Sequence, residues 1–422
     1  MRFFTHAVVF WALIGSVPLL AAPDGDAGPK PPMVEPYLLT GELQKAESDL
    51  GDYLANHGQD DEARFGLGVV QFLRGIERLA QSLHKYGLES GVGRAMGIPI
   101  LRLPVEPNED PKPIGYDNFR AILGAWVKDL VDAEATLAKV TDDNVNLPLH
   151  FGRVRLDLDG DGVAADHETL WRLYAHLNRG VVRNQDQAMA QQAEAFVISF
   201  DRGDVHWLRG YCRLLAALGE MVLAHDSRTI FERTAHLFFP NVDSPFDFLT
   251  GGRSVFSIDG ADIADVIALI HLIRLPVVEP QRMATALKHL RVVADQSVES
   301  WRHILTEQDD HHEWIPNPTQ SGVIPNVTVT QEMVDGWHEF LAEFKSLLAG
   351  EKLIPFWRGD GTKGVNLRRV FVQPTTFDLV LWVQGTNAAP YLEKGRLTDR
   401  NLWRRLSDIF RGQFIGFAIW FN

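Results

Sequence analysis

The stretch Asp204-Val205-His206-Trp207-Leu208-Arg209-Gly210-Tyr211-Cys212-Arg213-Leu214-Leu215-Ala216-Ala217-Leu218-Gly219-Glu220-Met221-Val222-Leu223-Ala224 carries the strongest helical pattern in the chain. Val205, Leu208, Tyr211, Cys212, Leu215, Leu218 and Val222 recur at intervals of three and four, the spacing that lines one face of an α-helix with apolar groups. A helix this long and this apolar must lie at the centre of whatever the chain builds. Asp204 reads as its N-cap, because a carboxylate there can accept a backbone N–H of the first turn. Arg202, His206 and Arg209 gather at its beginning, where they form either a buried network that seats the helix or a polar mouth able to bind an anion.

Outward from this helix the same period recurs. Gly41 to His57, Val69 to Tyr86 and Tyr116 to Leu137 precede it, and Ala261 to Arg274, Pro280 to Leu305, Thr330 to Leu348 and Thr398 to Phe410 follow it. Proline in the first turn suits the start at Pro280, and Gly350 closes the helix that begins at Thr330. The fold class is therefore mainly α, with a few short strands. Val365 to Val372, Phe377 to Gln384 and Phe414 to Phe421 are apolar runs whose period does not separate a strand from a buried helix end. Gln59 to Gly68 is similar to the first helix of a tetratricopeptide unit, and one helical hairpin is expected there, since no repeat follows at the proper interval. Gly97 to Gly115 holds five prolines and reads as a connection over the surface or an active-site lid.

Between these helices stands Asp157-Leu-Asp159-Gly-Asp161-Gly162-Val163-Ala164-Ala165-Asp166-His167-Glu168. Three carboxylates at alternate positions, a glycine for a sharp reversal and a glutamate at the twelfth place match the pattern D-x-[DN]-x-[DN]-G-x5-E at every fixed position. The segment resembles the EF-hand calcium loop. That resemblance implies a calcium ion held by Asp157, Asp159, Asp161, the backbone carbonyl of Val163 and both oxygens of Glu168, with water filling the place of Ala165. It extends over the loop and its exit helix, read from Asp166 to Leu177. The residues ahead of the loop depart from the family: Pro148 and Gly152 interrupt any entering helix, and Arg153 to Leu156 alternates as an extended strand does. Position eight, which in the family pairs with a second loop, is Ala164, and no second loop is present. Ser257 to Asp262 lacks the carboxylate spacing. An unpaired loop points to a structural ion rather than a sensor.

Residues 1–22 have the arrangement of a signal peptide: a basic start, an apolar run from Ala7 to Leu20 and small residues at Ala21-Ala22. Export to the periplasm or outside the cell is expected, with a flexible leader over 23–36 and a mainly helical globular region over 37–422, in one body or as two packed halves, 37–195 and 196–422. No integral membrane span is expected after signal cleavage. The formal net charge of −14 argues against a nucleic-acid partner and suits divalent cations. Cys212 is the single cysteine and reads as a buried, inert thiol.

The second chemically loaded patch is Glu307-Gln308-Asp309-Asp310-His311-His312-Glu313-Trp314. Adjacent histidines do not present the i, i+4 pair of a helical zinc site. Two functional classes follow. One is a calcium-binding exported scaffold or interaction protein; the other is a metal-dependent hydrolase of the cell envelope using this patch or a site assembled from Arg202, His206 and Arg209. Asn326-Val327-Thr328 is a formal glycosylation sequon. The Gly-rich stretch Arg358 to Gly364 fails the phosphate-loop pattern, and the tryptophans 357, 382, 403 and 420 are explained by a compact core.

Overall fold

A computed structural model of the protein describes residues 31–89, 107–172, 196–249, 260–310, 312–323 and 328–410, together with Phe414, Phe417 and Ala418. It is mainly α-helical. Among the described residues the helices of six residues or more are, in chain order, α1 (Glu35–Thr40), α2 (Leu43–Asn56), α3 (Asp61–Lys85), α4 (Tyr116–Leu137), α5 (Arg202–Leu223), α6 (Arg228–Thr234), α7 (Gly260–Leu272), α8 (Pro280–Ile304), α9 (Gln331–Ala349), α10 (Leu367–Val372), α11 (Leu379–Gln384) and α12 (Arg400–Ile409). The strands are two or three residues long and form small antiparallel pairings. Of these, β1 (Leu147–Leu149) with β2 (Ile198–Phe200) matters most, because it delivers the chain to the start of α5.

The central position of α5 follows from its two apolar faces. It packs on α4 on one side and α8 on the other, while α4 continues to α3 and α3 to α2. Val205, Cys212, Ala216 and Ala217 are fully buried. Glycine sets the close approach: a Cβ built on Gly219 would lie 2.3 Å from Val127 of α4, and one on Gly68 of α3 would lie 2.4 Å from Leu137. Burial of each large side chain here contributes roughly 1.5 to 3 kcal/mol. One continuous hydrophobic cluster runs from Val34 to Phe417 and draws residues from both of the expected halves.

Several expectations shift by a few residues for identifiable reasons. The N-cap of α5 is Asp201, three residues earlier than expected, and Asp204 is its reciprocal partner: Asp201 Oδ1 accepts the Asp204 N–H at 3.1 Å and Asp204 Oδ2 accepts the Asp201 N–H at 3.0 Å. Helix α3 does not turn after Gly68. It runs unbroken from the cap at Asp60 through both segments that were read separately, and the hairpin is made with α2 instead. Gly66 and Gly68 serve contact rather than chain reversal, since Val34 and Leu137 press against them. Order also begins before Gly41: Val34 and Leu38 are buried, and α1 occupies the end of the expected leader. Of the ambiguous runs, Leu367–Val372 and Leu379–Gln384 are helices entered from two-residue strands.

The helices at Pro280 and Thr330 start and stop where their caps require. Proline opens α8, the Thr330 side chain accepts the Met333 N–H, and Gly350 closes α9 in the left-handed region with φ of 76°. No helix among the described residues is long and apolar enough to cross a membrane. The signal segment 1–22, the run Gln185 to Glu194, residues 257–259 of Ser257 to Asp262, His311, Asn326 and Trp420 lie outside the described residues.

Candidate metal centre

The loop from Asp157 is reached by extended backbone. Val154, Leu156 and Leu158 are buried while Arg155 and Asp157 between them are not, which is the alternation of a strand laid on a core. Arg155 pairs with Thr169 as an isolated antiparallel bridge, so the chain enters and leaves the loop side by side. No helix leads in, as the proline and glycine ahead of it foretold; a single turn of 3-10 helix, Phe151–Arg153, takes its place. On the exit side residues 170–172 are helical, and the rest of the expected exit helix lies outside the described residues.

Within the loop the carboxylates are turned inward by their own backbone. Asp157 Oδ1 accepts the Gly160 N–H at 2.7 Å and its Oδ2 the Gly162 N–H at 3.1 Å. Asp159 accepts from Asp161 at 3.0 Å and Asp161 from Val163 at 2.7 Å. Gly160 and Gly162, with φ of 80° and 89°, make the reversals that a side chain would oppose. The result is a cluster in which one oxygen from each of Asp157, Asp159 and Asp161 lies within 4.8 Å of the others. Hard oxygen donors at this spacing suit calcium.

Glu168 lies outside that triad. It is buried, and its two oxygens accept the N–H groups of Leu158 at 2.7 Å and Ala165 at 2.8 Å, tying the two ends of the loop together. Ala164 faces Gly41, the left-handed residue ending α1: a Cβ on Gly41 would sit 2.2 Å from the Ala164 methyl. Position eight thus meets another part of the same molecule where the family has a second loop.

Helix α3 also touches the loop, and this was not foreseen. Glu77 Oε1 accepts the Asp157 N–H at 3.0 Å, Gln81 donates to the Asp157 carbonyl at 2.7 Å, and His84 Nδ1 donates to the Asp159 carbonyl at 2.8 Å. Burial raises the Glu77 carboxyl to about 7, with the Asp157 charge adding to it and the backbone hydrogen bond opposing. In the sequence these three residues look like part of a solvated helix face, and no periodicity distinguishes them.

A second set of carboxylates meets at the start of α5. Asp201, Glu307 and Glu313 each bring an oxygen within 4.8 Å of the others. They line a cleft of about 400 Å³ with Asp143, Arg202, His303 and Asp309 among its walls. Three segments form it: the turn before β1, the junction of β2 with α5, and the chain leaving α8. Burial raises the Asp201 carboxyl, and raises that of the fully enclosed Asp204 behind it well above the carboxylate range. The patch Glu307 to Glu313 therefore contributes its two glutamates, and of its two histidines the described one, His312, does not join them: it is exposed, with φ of 63°. Sequence does not single out Asp201, because Asp204 three residues on is an equally good cap by residue type.

The three residues proposed as an assembled site are divided. Arg202 lines the cleft and donates to the Val140 carbonyl at 2.6 Å. Arg209 turns away to Glu134 of α4. His206 donates from Nδ1 to Gln296 of α8 at 2.8 Å and stacks on His303 at 5.3 Å. Burial lowers His206 to about 4, helped by Arg202, Arg209 and His303 and opposed by the Gln296 hydrogen bond. The unfolded imidazole binds its proton near pH 6.5, so between that pH and about 4 the unfolded chain holds more protons than the native one. Stability is expected to be unaffected by this group above pH 6.5 and to fall as pH drops through the window. Urea midpoints compared with His206→Gln from pH 4 to 7 read this directly, and parallel curves would refute it.

Comparison with models of protein families, with curated proteins and with solved structures returned no match to the chain.

Proposed function

We propose that the protein is a calcium-binding exported protein in which one structural ion orders the loop at Asp157, and that it acts as a scaffold or interaction protein. The observation that carries this reading is the inward triad of Asp157, Asp159 and Asp161, each held by a backbone N–H of its own loop. These three carboxylates, the Val163 carbonyl and Glu168 would hold the ion, with Glu168 giving up one or both of its N–H partners to do so. The ion supplies positive charge that offsets the mutual repulsion of the aspartates. Dissociation constants of about 10⁻⁴ to 10⁻³ M, those of extracellular calcium modules, match an exported protein. Calorimetric titration of the metal-free full chain with calcium is expected to show one site in that range. The absence of binding at millimolar calcium overturns the reading.

A second reading, a metal-dependent hydrolase of the cell envelope, is favoured by the convergence of Asp201, Glu307 and Glu313 in a cleft large enough for a small substrate. A divalent ion there would activate a water molecule, and His303 and Arg202 stand at the wall to meet an anionic group. It predicts manganese-supported hydrolysis of p-nitrophenyl esters or phosphates that Glu313→Gln abolishes. Equal rates in the presence and absence of the metal exclude it.

A further inference from the structure

The loop at Asp157 has lost the helix that normally leads into it, yet its first half is gripped by a helix that ends 72 residues earlier in the chain. Glu77, Gln81 and His84 follow one another at intervals of four and three along α3, which places all three on one face and within a single stripe two turns long. Each engages the backbone of the loop: the first accepts the N–H of Asp157, the second donates a hydrogen bond to the carbonyl of Asp157, the third to the carbonyl of Asp159. Both peptide groups of Asp157 are thereby fixed. The Gln81 side chain also lies against Gly160, where a Cβ would approach its Cγ to 3.4 Å. Helix α3 is itself anchored in the core by Phe65, Val70 and Leu73 and packs on α4.

We infer that α3 replaces the missing entering helix: Glu77, Gln81 and His84 are positioning residues that hold the backbone of Asp157 and Asp159 in the conformation that aims their carboxylates at one ion. This rests on the calcium reading of the loop. None of the three is among the residues that would hold the ion. They act on the peptide groups to which the ligands are attached, and partners of this kind typically change metal affinity 10- to 100-fold when removed. Because coupling between two sites is reciprocal, calcium must strengthen the docking of α3 by as much as α3 strengthens calcium binding.

The test uses the full chain and calcium alone. Gln81→Met keeps the length of the side chain and removes the donor; His84→Leu removes the imidazole; His84→Asn returns an N–H near the place of Nδ1. The double variant Gln81→Met/His84→Leu is expected to bind calcium roughly tenfold more weakly by calorimetry, with His84→Asn near wild type. The melting temperature in chelator is expected to fall less than it does in calcium, which a loss of general stability would not produce. In the wild type, calcium is expected to slow amide exchange across residues 77–85. Gln81→Met alone serves if the double variant does not fold. Wild-type affinity in both Gln81→Met and His84→Leu overturns the inference, whereas a wild type that binds no calcium overturns the calcium reading itself.

Discussion

Glu134→Ala is expected to cost about 3 kcal/mol or more of folding stability, since removing one partner of a buried ion pair leaves the other charges enclosed and unsatisfied. Glu134 sits in α4 with 3% of its surface exposed. Its Oε1 accepts from Arg209 at 3.1 Å, its Oε2 accepts from Arg213, and Arg213 in turn donates to Nδ1 of His289 on α8 at 3.1 Å. One carboxylate therefore binds α4 to α5 and, through Arg213, α5 to α8. The two arginine side chains retain 16% and 22% of their exposure, which allows some rehydration and places the loss toward the lower end of the usual 3 to 5 kcal/mol. Glu134→Gln keeps an acceptor and should lose less. Replacing Glu134, Arg209 and Arg213 together by Met, Leu and Met should recover most of the loss, because no stranded charge remains. Urea unfolding of the three variants decides the matter, and a loss below about 1 kcal/mol for Glu134→Ala would show that water reaches the arginines after all.

That network also shows where reading by pattern stops. The helical period was enough to place α5 at the centre, since Val205, Leu208 and Cys212 are buried, but it overreached toward the C-terminal end, where Leu218 and Val222 of the same run are exposed. Caps were legible where the residue type is decisive, as at Pro280, Thr330 and Gly350. At α5 the same chemistry misled: Asp201 and Asp204 are both good caps three residues apart, and they cap each other. The loop at Asp157 was legible because the hydrogen bonds that its own carboxylates accept are local, spanning two to ten residues. What the sequence did not disclose were the partners far away in the chain. Glu77 reaches Asp157 across 80 positions, and Glu134 reaches Arg213 across 79. Asp201 meets Glu307 and Glu313 only because α8 returns its C-terminal end to the start of α5. Distances of this kind depend on helix packing, which composition and period leave open.

Calcium is expected to raise the melting temperature of the wild type, and Asp157→Asn is expected to abolish that rise while leaving the melting temperature in chelator nearly unchanged. A ligand that binds only the native state stabilises it by about 2.7 kcal/mol when present at 100 times its dissociation constant. Asn retains an oxygen that can accept the Gly160 N–H and leaves the exposed Gly162 N–H to water, so the turn survives, but it removes the charge that a hard cation requires. Glu168→Ala should behave differently. Its carboxylate holds the N–H groups of Leu158 and Ala165, and Leu158 is 4% exposed, so deletion leaves a buried donor without a partner. That costs about 1 to 3 kcal/mol whether or not the ion is present. The double variant Asp157→Ala/Glu168→Ala is accordingly expected to melt below the chelator-treated wild type. The gap between them measures the bracing role of Glu168 apart from calcium. Thermal melts of the four proteins with 10 mM calcium, roughly ten to a hundred times the expected dissociation constant, and with chelator separate the two contributions. A wild type whose melting temperature does not respond to chelator would remove the ion from the account and leave Glu168 as a purely structural clasp.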